Sequence, residues 1–300
     1  MSQTTVNGKG TGWIPDYPSI RDYTLASKEV EPLFSKVRVA TTQSTIKTKK
    51  LSLPTKVHDE IRQYCSPVED QDTLGSCTAQ AGVGMVEYFE RKAFGKHIDA
   101  SRLFLYKVTR NILRLRGDTG AYLRSTMGAL TLFGVPPEEY WEYNISQFDR
   151  EPPAFCYAFA SNYQAIRYVR LDKPGITKEA LLHSVKDNLS KGIPSMFGFT
   201  VYESIEQASA NGNIPFPCST ERVLGGHAVM AVGYDDNLKI KNNTCGEETK
   251  GAILIRNSWG TSWGNQGYGY LPYQYVLEDL ALDWWTIIKA EWIETGQFGE

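Results

Sequence analysis

Apolar residues recur at helical spacing from Ala79 through Val83 and Val86 to Phe89, a four-three-three progression that predicts a helix opening near Cys77 and stopping at Gly95. Small residues (Ala79, Ala81, Gly82, Gly84) surround its first turns, so close burial on several sides is expected. A second helix is predicted from Thr177 to Leu189: Thr177 is a suitable N-cap, Leu181, Leu182, Val185 and Leu189 form one face, and Gly192 and Pro194 end it. Beyond it the pattern changes. PSMFGFTVY, HAVMAVGY, AILIRNSW and GYGYL read as strands, several apolar on both faces. A mainly helical first half and a mainly strand second half predict an α+β protein in two lobes.

Residues 1–50 stand apart from this pattern, with eight Lys/Arg against four Asp/Glu. Val39 to Thr45 has no apolar period and reads as a linker. Gly12 to Leu25 holds three aromatics and two prolines, and Pro15 and Pro18 argue against helix there. Such a segment is expected to lie extended against another surface, the alternative being a disordered tail. The division expected is a leader over 1–50 and a main domain over 51–300.

Composition narrows the function classes. At 41% hydrophobic and 12% aromatic residues the chain is globular, and a net charge of −2 implies no polyanion, so no nucleic-acid partner is expected. No long apolar window suggests a membrane span and no apolar segment near the start suggests a secretory signal, so no membrane partner is expected and the compartment stays open with a lean to the cytoplasm; a monomer is expected. Five cysteines are too few for a disulfide scaffold, and the pairing of Cys65, Cys156, Cys218 and Cys245 stays open. No Cys/His spacing resembles a ligand set, so neither metal nor other cofactor is expected.

The chemistry starts from Cys77, placed after Gly75-Ser76 at the first turn of a helix. The thiolate is the nucleophilic form, and unpaired N–H groups at a helix N-terminus favour it, as would an imidazolium alongside. Of the four histidines, His58 and His97 read as surface loop and His183 falls off the apolar face of its helix. His227 heads an apolar strand behind Gly225-Gly226, which permit close approach of another backbone. A third group must fix the imidazole; Asn257 on the next strand is the candidate, with Trp259 shielding the bond from water. Gln71, six residues before Cys77, is placed to fold back and join the Cys77 N–H in a two-donor oxyanion hole.

Gln71, Gly75-Ser76-Cys77, Gly226-His227-Ala228 and Asn257-Ser258-Trp259-Gly260, continued by Trp263-Gly264-Asn265-Gln266-Gly267-Tyr268, occur in the order and with spacings that resemble the papain family of cysteine peptidases, from about Leu51 onward. The Gly12-Trp13-Ile14-Pro15-Asp16 leader and Leu74-Gly75-Ser76-Cys77-Thr78 are similar to its bacterial branch. The resemblance implies a papain-like fold with a helical lobe, an antiparallel β-barrel-like lobe and a cleft between them. It implies hydrolysis of peptide bonds in peptides or proteins through a Cys77 acyl-thioester. By position, Gly120 and Ala121 would pair with substrate backbone, Tyr122 and Leu123 would wall the pocket for the second side chain before the scissile bond, and Gly226, Ala228 and Trp259 would face it from the other side. An apolar or aromatic preference is expected there.

Three departures are visible. Leu74 and Asp118 stand where the family has a disulfide; Thr78 replaces an aromatic; and Lys239 to Lys250 forms an insertion carrying Cys245, read as an inert surface loop in preference to an extended hairpin. Papain-like peptidases are commonly made with a segment that blocks the cleft, and Gly12 to Leu25 is expected to restrain activity this way. A transamidase or amidase with the same chemistry, and a silent peptide-binding module, are the competing readings; retention of all four chemical residues argues against the second.

Overall fold

The computed structural model of the chain describes residues 5–42, 52–163, 167–293 and 295. Its centre is the helix Cys77–Phe94, buried without interruption from Cys77 to Phe89 and closed by Gly95, whose φ of 71° lies in the left-handed region that suits a helix end. Helices Arg102–Ile112 and Leu123–Leu132 pack on one side of it and the long strand Val223–Lys241 on the other. The small residues serve this sandwiching. A Cβ on Gly84 would stand 2.5 Å from the guanidinium of Arg256, on the sheet side.

The second lobe is an antiparallel sheet in the order Arg167–Arg170, Ala281–Ile288, Ser195–Tyr202, Val223–Lys241, Glu248–Arg256, Tyr268–Pro272, with Lys56–Val57 pairing onto the long strand. An α+β architecture, helices in the first half and an antiparallel sheet in the second, is thus the observed one. Register explains the placement of two chemical residues. Met230 pairs with Arg256, so Asn257 lies across from Val229, and residues two apart share a face; His227 and Asn257 therefore project together. The helix Lys178–Ser190 begins as expected, the Thr177 hydroxyl accepting from the Ala180 N–H. No helix among the described residues is long and apolar enough to cross a membrane.

Two expectations are corrected. Val39 to Thr42 are not linker but the last turn of the helix Glu31–Thr42, a case where local helix formation needs no long apolar stripe; Gln43 to Thr45 lie outside the described residues. Lys239 to Lys250 is an extended hairpin, Lys239–Lys241 pairing with Glu248–Lys250, and not a loose loop. A disulfide ties Cys245 to Cys218, and Asn242 at the turn donates to the Phe216 carbonyl and the Glu221 carboxylate. Cys65, Cys77 and Cys156 are free and buried.

Glu87 lies inside the central helix, 4% exposed, accepting from Ser66 Oγ and the Ala100 N–H. Burial pushes its carboxyl up to about 7, against the opposing pull of those hydrogen bonds and of Arg256. The folded state therefore holds a proton that the unfolded state releases between the ordinary carboxylate range and pH 7. Stability from this group is fully present at low pH and is lost as pH rises through about 7. Glu87→Gln is expected to shrink the fall in urea midpoint between pH 5 and pH 8; an unchanged fall would assign the pH dependence elsewhere.

Candidate active site

The elbow before the central helix is held by its surroundings. Asp118 accepts from the Gly75 N–H with both carboxylate oxygens, at 3.1 and 3.2 Å, and from Tyr106 Oη at 2.5 Å. Ser76 Oγ, instead of capping the helix, bonds to Tyr143 Oη at 2.6 Å. Cys77 follows with no exposed surface. Burial pushes its thiol up to about 11, although backbone hydrogen bonds from Ala228, Gly12 and Thr78 pull the other way. The helix terminus alone does not produce a thiolate here.

His227 Nε2 bonds to Asn257 Oδ1 at 2.7 Å, and the Trp259 ring stacks on the imidazole at 4.6 Å. Both rings are buried. Burial pushes His227 down to about 4, with the Asn257 bond opposing. Nδ1 has no hydrogen-bond partner among the described residues. The backbone contact from Ala228 to Cys77 brings the thiol beside this end of the strand.

Gln71 is fully buried, its Oε1 fixed by Ser258 Oγ at 2.6 Å. Its Nε2 donates to the Leu74 carbonyl at 2.8 Å and to the carbonyl of Gly10 at 2.9 Å. Thus Gln71, Cys77, His227 and Asn257 converge, and a fifth strand of chain lies over them.

That fifth strand is residues 9–14. The Gly10 N–H donates to the Asp72 carbonyl, and the N–H groups of Gly12 and Trp13 both donate to the Gly226 carbonyl, at 3.1 and 3.0 Å. Trp13 forms a parallel bridge with Ala121: the Ala121 N–H donates to the Gly12 carbonyl at 2.8 Å and the Ile14 N–H to the Ala121 carbonyl at 3.1 Å. Glycine is required at the crossing, because a Cβ on Gly12 would stand 2.1 Å from the Gly75 carbonyl oxygen. The Trp13 indole is 6% exposed and lies flat on Gly198, and its Nε1 donates to Asp283 Oδ2 at 3.2 Å. Downstream, Arg124 holds Asp16 and Asp22 at 3.2 and 3.0 Å.

The residues expected to meet substrate are distributed as follows. Gly120 and Ala121 touch the leader backbone, as does Gly226, and Ala228 adjoins Cys77. Leu123 opens the helix Leu123–Leu132 with its side chain wholly in the core, and Tyr122 precedes it as a half-buried cap. Trp259 covers His227 and borders a small cavity with Asn7, Lys9 and Trp263. Sequence reasoning missed Gly198 and Asp283 beside Trp13, and Ser258 behind Gln71. An acid among the apolar residues of LDWW was the one available signal for Asp283.

Residues 53–276 match the family model described as papain family cysteine protease. An uncharacterised peptidase C1-like protein of Acanthamoeba polyphaga mimivirus is 35% identical over 224 residues, covering 73% of this chain and 68% of that protein. Cathepsin K of Gallus gallus is 29% identical over 209 residues, 68% of this chain; the chain spans only 54% of its length. Among solved structures, xylellain, a cysteine protease from Xylella fastidiosa, superposes with a TM-score of 0.73 at 30% identity over 96% of this chain and 97% of that one.

Proposed function

The chain belongs to the papain family of cysteine proteases, and from that premise we propose that it hydrolyses peptide bonds with Cys77 as nucleophile and is made with its own leader across the cleft. His227 Nδ1, free of other partners, takes the thiol proton and returns it to the leaving amine. Asn257 fixes the tautomer and ring orientation through Nε2. Cys77 attacks the carbonyl carbon, and Gln71 Nε2 with the Cys77 N–H stabilises the oxyanion. Collapse expels the amine and leaves an acyl-thioester; water, deprotonated by His227, then releases the acid. The observation that carries this reading is the 2.7 Å His227–Asn257 bond beside a thiol at a helix start, with a fixed glutamine amide opposite.

The restraint rests on the leader's use of the same groups. Gly10 takes the Gln71 donor, Gly12 abuts the thiol, and Trp13 occupies the side-chain slot next to Ala121. The pairing with Ala121 runs parallel, and the Gly10 carbonyl rests on the same Gln71 amide that would otherwise meet the substrate. We also assign the chain to the bacterial members of the family, on Gly12 to Asp16, Leu74 to Thr78 and the likeness to xylellain.

The test is intact mass after exposure to a peptidyl epoxide, comparing the full chain, residues 51–300 and Cys77→Ala. One adduct on 51–300, little on the full chain and none on Cys77→Ala is expected. Equal labelling of the first two would remove the restraint, and an adduct on Cys77→Ala would remove the nucleophile.

A further inference from the structure

The slot that holds Trp13 is flat and ends in a carboxylate. Two glycines on neighbouring strands shape it: a Cβ on Gly198 would stand 1.9 Å from indole Cε2, and one on Gly226 would stand 2.9 Å from Cε3. At the far edge the two Asp283 oxygens are used differently. Oδ1 accepts from Trp285 Nε1 at 2.7 Å and faces Arg170 Nη1 at 3.3 Å. Oδ2 takes the Trp13 N–H. Arg170 is itself clamped by Asp172, at 2.9 and 3.1 Å, and the Asp172 oxygens also accept the Asp283 and Trp284 N–H groups. Asp283 is wholly buried in this network and cannot turn away. Burial pushes its carboxyl up to about 6, with Arg170, Trp285 and Trp13 pulling it down. When the leader leaves, Oδ2 loses its donor, and a buried acceptor without a partner is costly.

We propose that Asp283 and Gly198 make this subsite select substrates whose second residue before the scissile bond carries a flat ring with an N–H at its outer edge, tryptophan above all. The inference rests on the reading of Cys77 and Ala121 given above and names what the adjoining pocket prefers. A ring without the N–H fills the slot but leaves Oδ2 bare, and sites built to receive a donor reject analogues lacking it more strongly than shape alone can. A cation is disfavoured at the same place because Arg170 already stands beside the carboxylate. Water entering the slot replaces part of the lost bond, so the discrimination expected is about tenfold.

The experiment uses the full chain carrying Gly12→Val, whose side chain would meet the Gly75 carbonyl and unseat the leader. Two fluorogenic peptides are compared that differ only at the second residue, tryptophan or 3-benzothienylalanine, its isostere with sulfur in place of the N–H. The tryptophan peptide is expected to have a kcat/KM about tenfold higher, and Asp283→Asn to bring the ratio to within about twofold. In that variant Trp285 and Arg170 hold the amide oxygen, turning the NH2 into the slot, where it cannot accept; asparagine also tolerates the left-handed φ of 63°. Should Asp283→Asn fail to fold, Gly198→Ala keeps the acid and fills the slot, and both ring peptides are expected to fall behind a leucine peptide. Equal rates for the two ring peptides, an unchanged ratio in Asp283→Asn, or an arginine peptide outrunning tryptophan would each overturn the proposal. Turnover surviving in Cys77→Ala would overturn the catalytic reading and the proposal together, and is distinguishable because it does not depend on the peptide.

Discussion

Alanine at position 227 is expected to lower kcat/KM for peptide hydrolysis by about four orders of magnitude, the upper range for loss of a general acid–base. Both chemical steps need the imidazole, once to activate the thiol and once to activate water. Its described side-chain neighbours cannot substitute: the Asn257 amide does not titrate, and Trp259 and Phe199 are aromatic covers. Asn257→Ala should cost less, because Nδ1 remains available and only its orientation is loosened. The check is kcat/KM for the two variants in the Gly12→Val chain, with circular dichroism to establish that the buried His227 position tolerates the change. If Asn257→Ala proved as damaging as His227→Ala, the division between proton carrier and positioning residue would be wrong.

Unseating the leader is the second large effect. In the full chain Gly12→Val is expected to raise the rate of Cys77 labelling by a peptidyl epoxide about fivefold to 150-fold, the range that an overpacking penalty of about 1–3 kcal/mol implies. The three nearest atoms the new side chain would strike are all backbone of Gly75, on an elbow pinned by Asp118, so the leader and not the elbow must give way. The pH profile is the sharper readout. With the leader seated, the thiol is held up to about 11 and the imidazole down to about 4, so both are neutral between those values. Labelling should then climb only toward alkaline pH. Once the leader lifts, water reaches both groups, the desolvation that separates them is relieved, and the rate near pH 7 should rise relative to that at pH 9. A parallel upward shift at every pH would mean that the leader blocks by bulk alone.

The chemical residues were legible because they sit at junctions with local signatures. Cys77 opens an apolar helix after a Gly-Ser elbow, and His227 and Asn257 lie at the ends of apolar strands whose register follows from their alternation. Gln71 was legible only by its distance from Cys77, and what fixes it, Ser258, was not. The slot was illegible for a different reason. Trp13 and Asp283 are 270 residues apart, joined by one hydrogen bond that no local pattern encodes. The disulfide between Cys218 and Cys245 likewise depends on where two loops meet, and spacing cannot decide pairing. The end of the helix Glu31–Thr42 was missed because its final turn, from Val39, has no apolar period to read.

The joint between Gly75 and Asp118 also has an environmental meaning. Where the family closes this wall with two sulfurs, this chain uses a carboxylate gripping a backbone amide and a phenol. Thiol reductants have nothing to cut there; the one disulfide among the described residues joins Cys218 to Cys245. Base, not acid, is what it answers to. Burial raises the Asp118 carboxyl above its ordinary range, so the folded wall keeps its proton where the unfolded chain would release it, and what this group contributes is present at low pH and fades as pH rises through its folded value. The cleft wall has exchanged a joint that electrons can open for one that acid leaves closed.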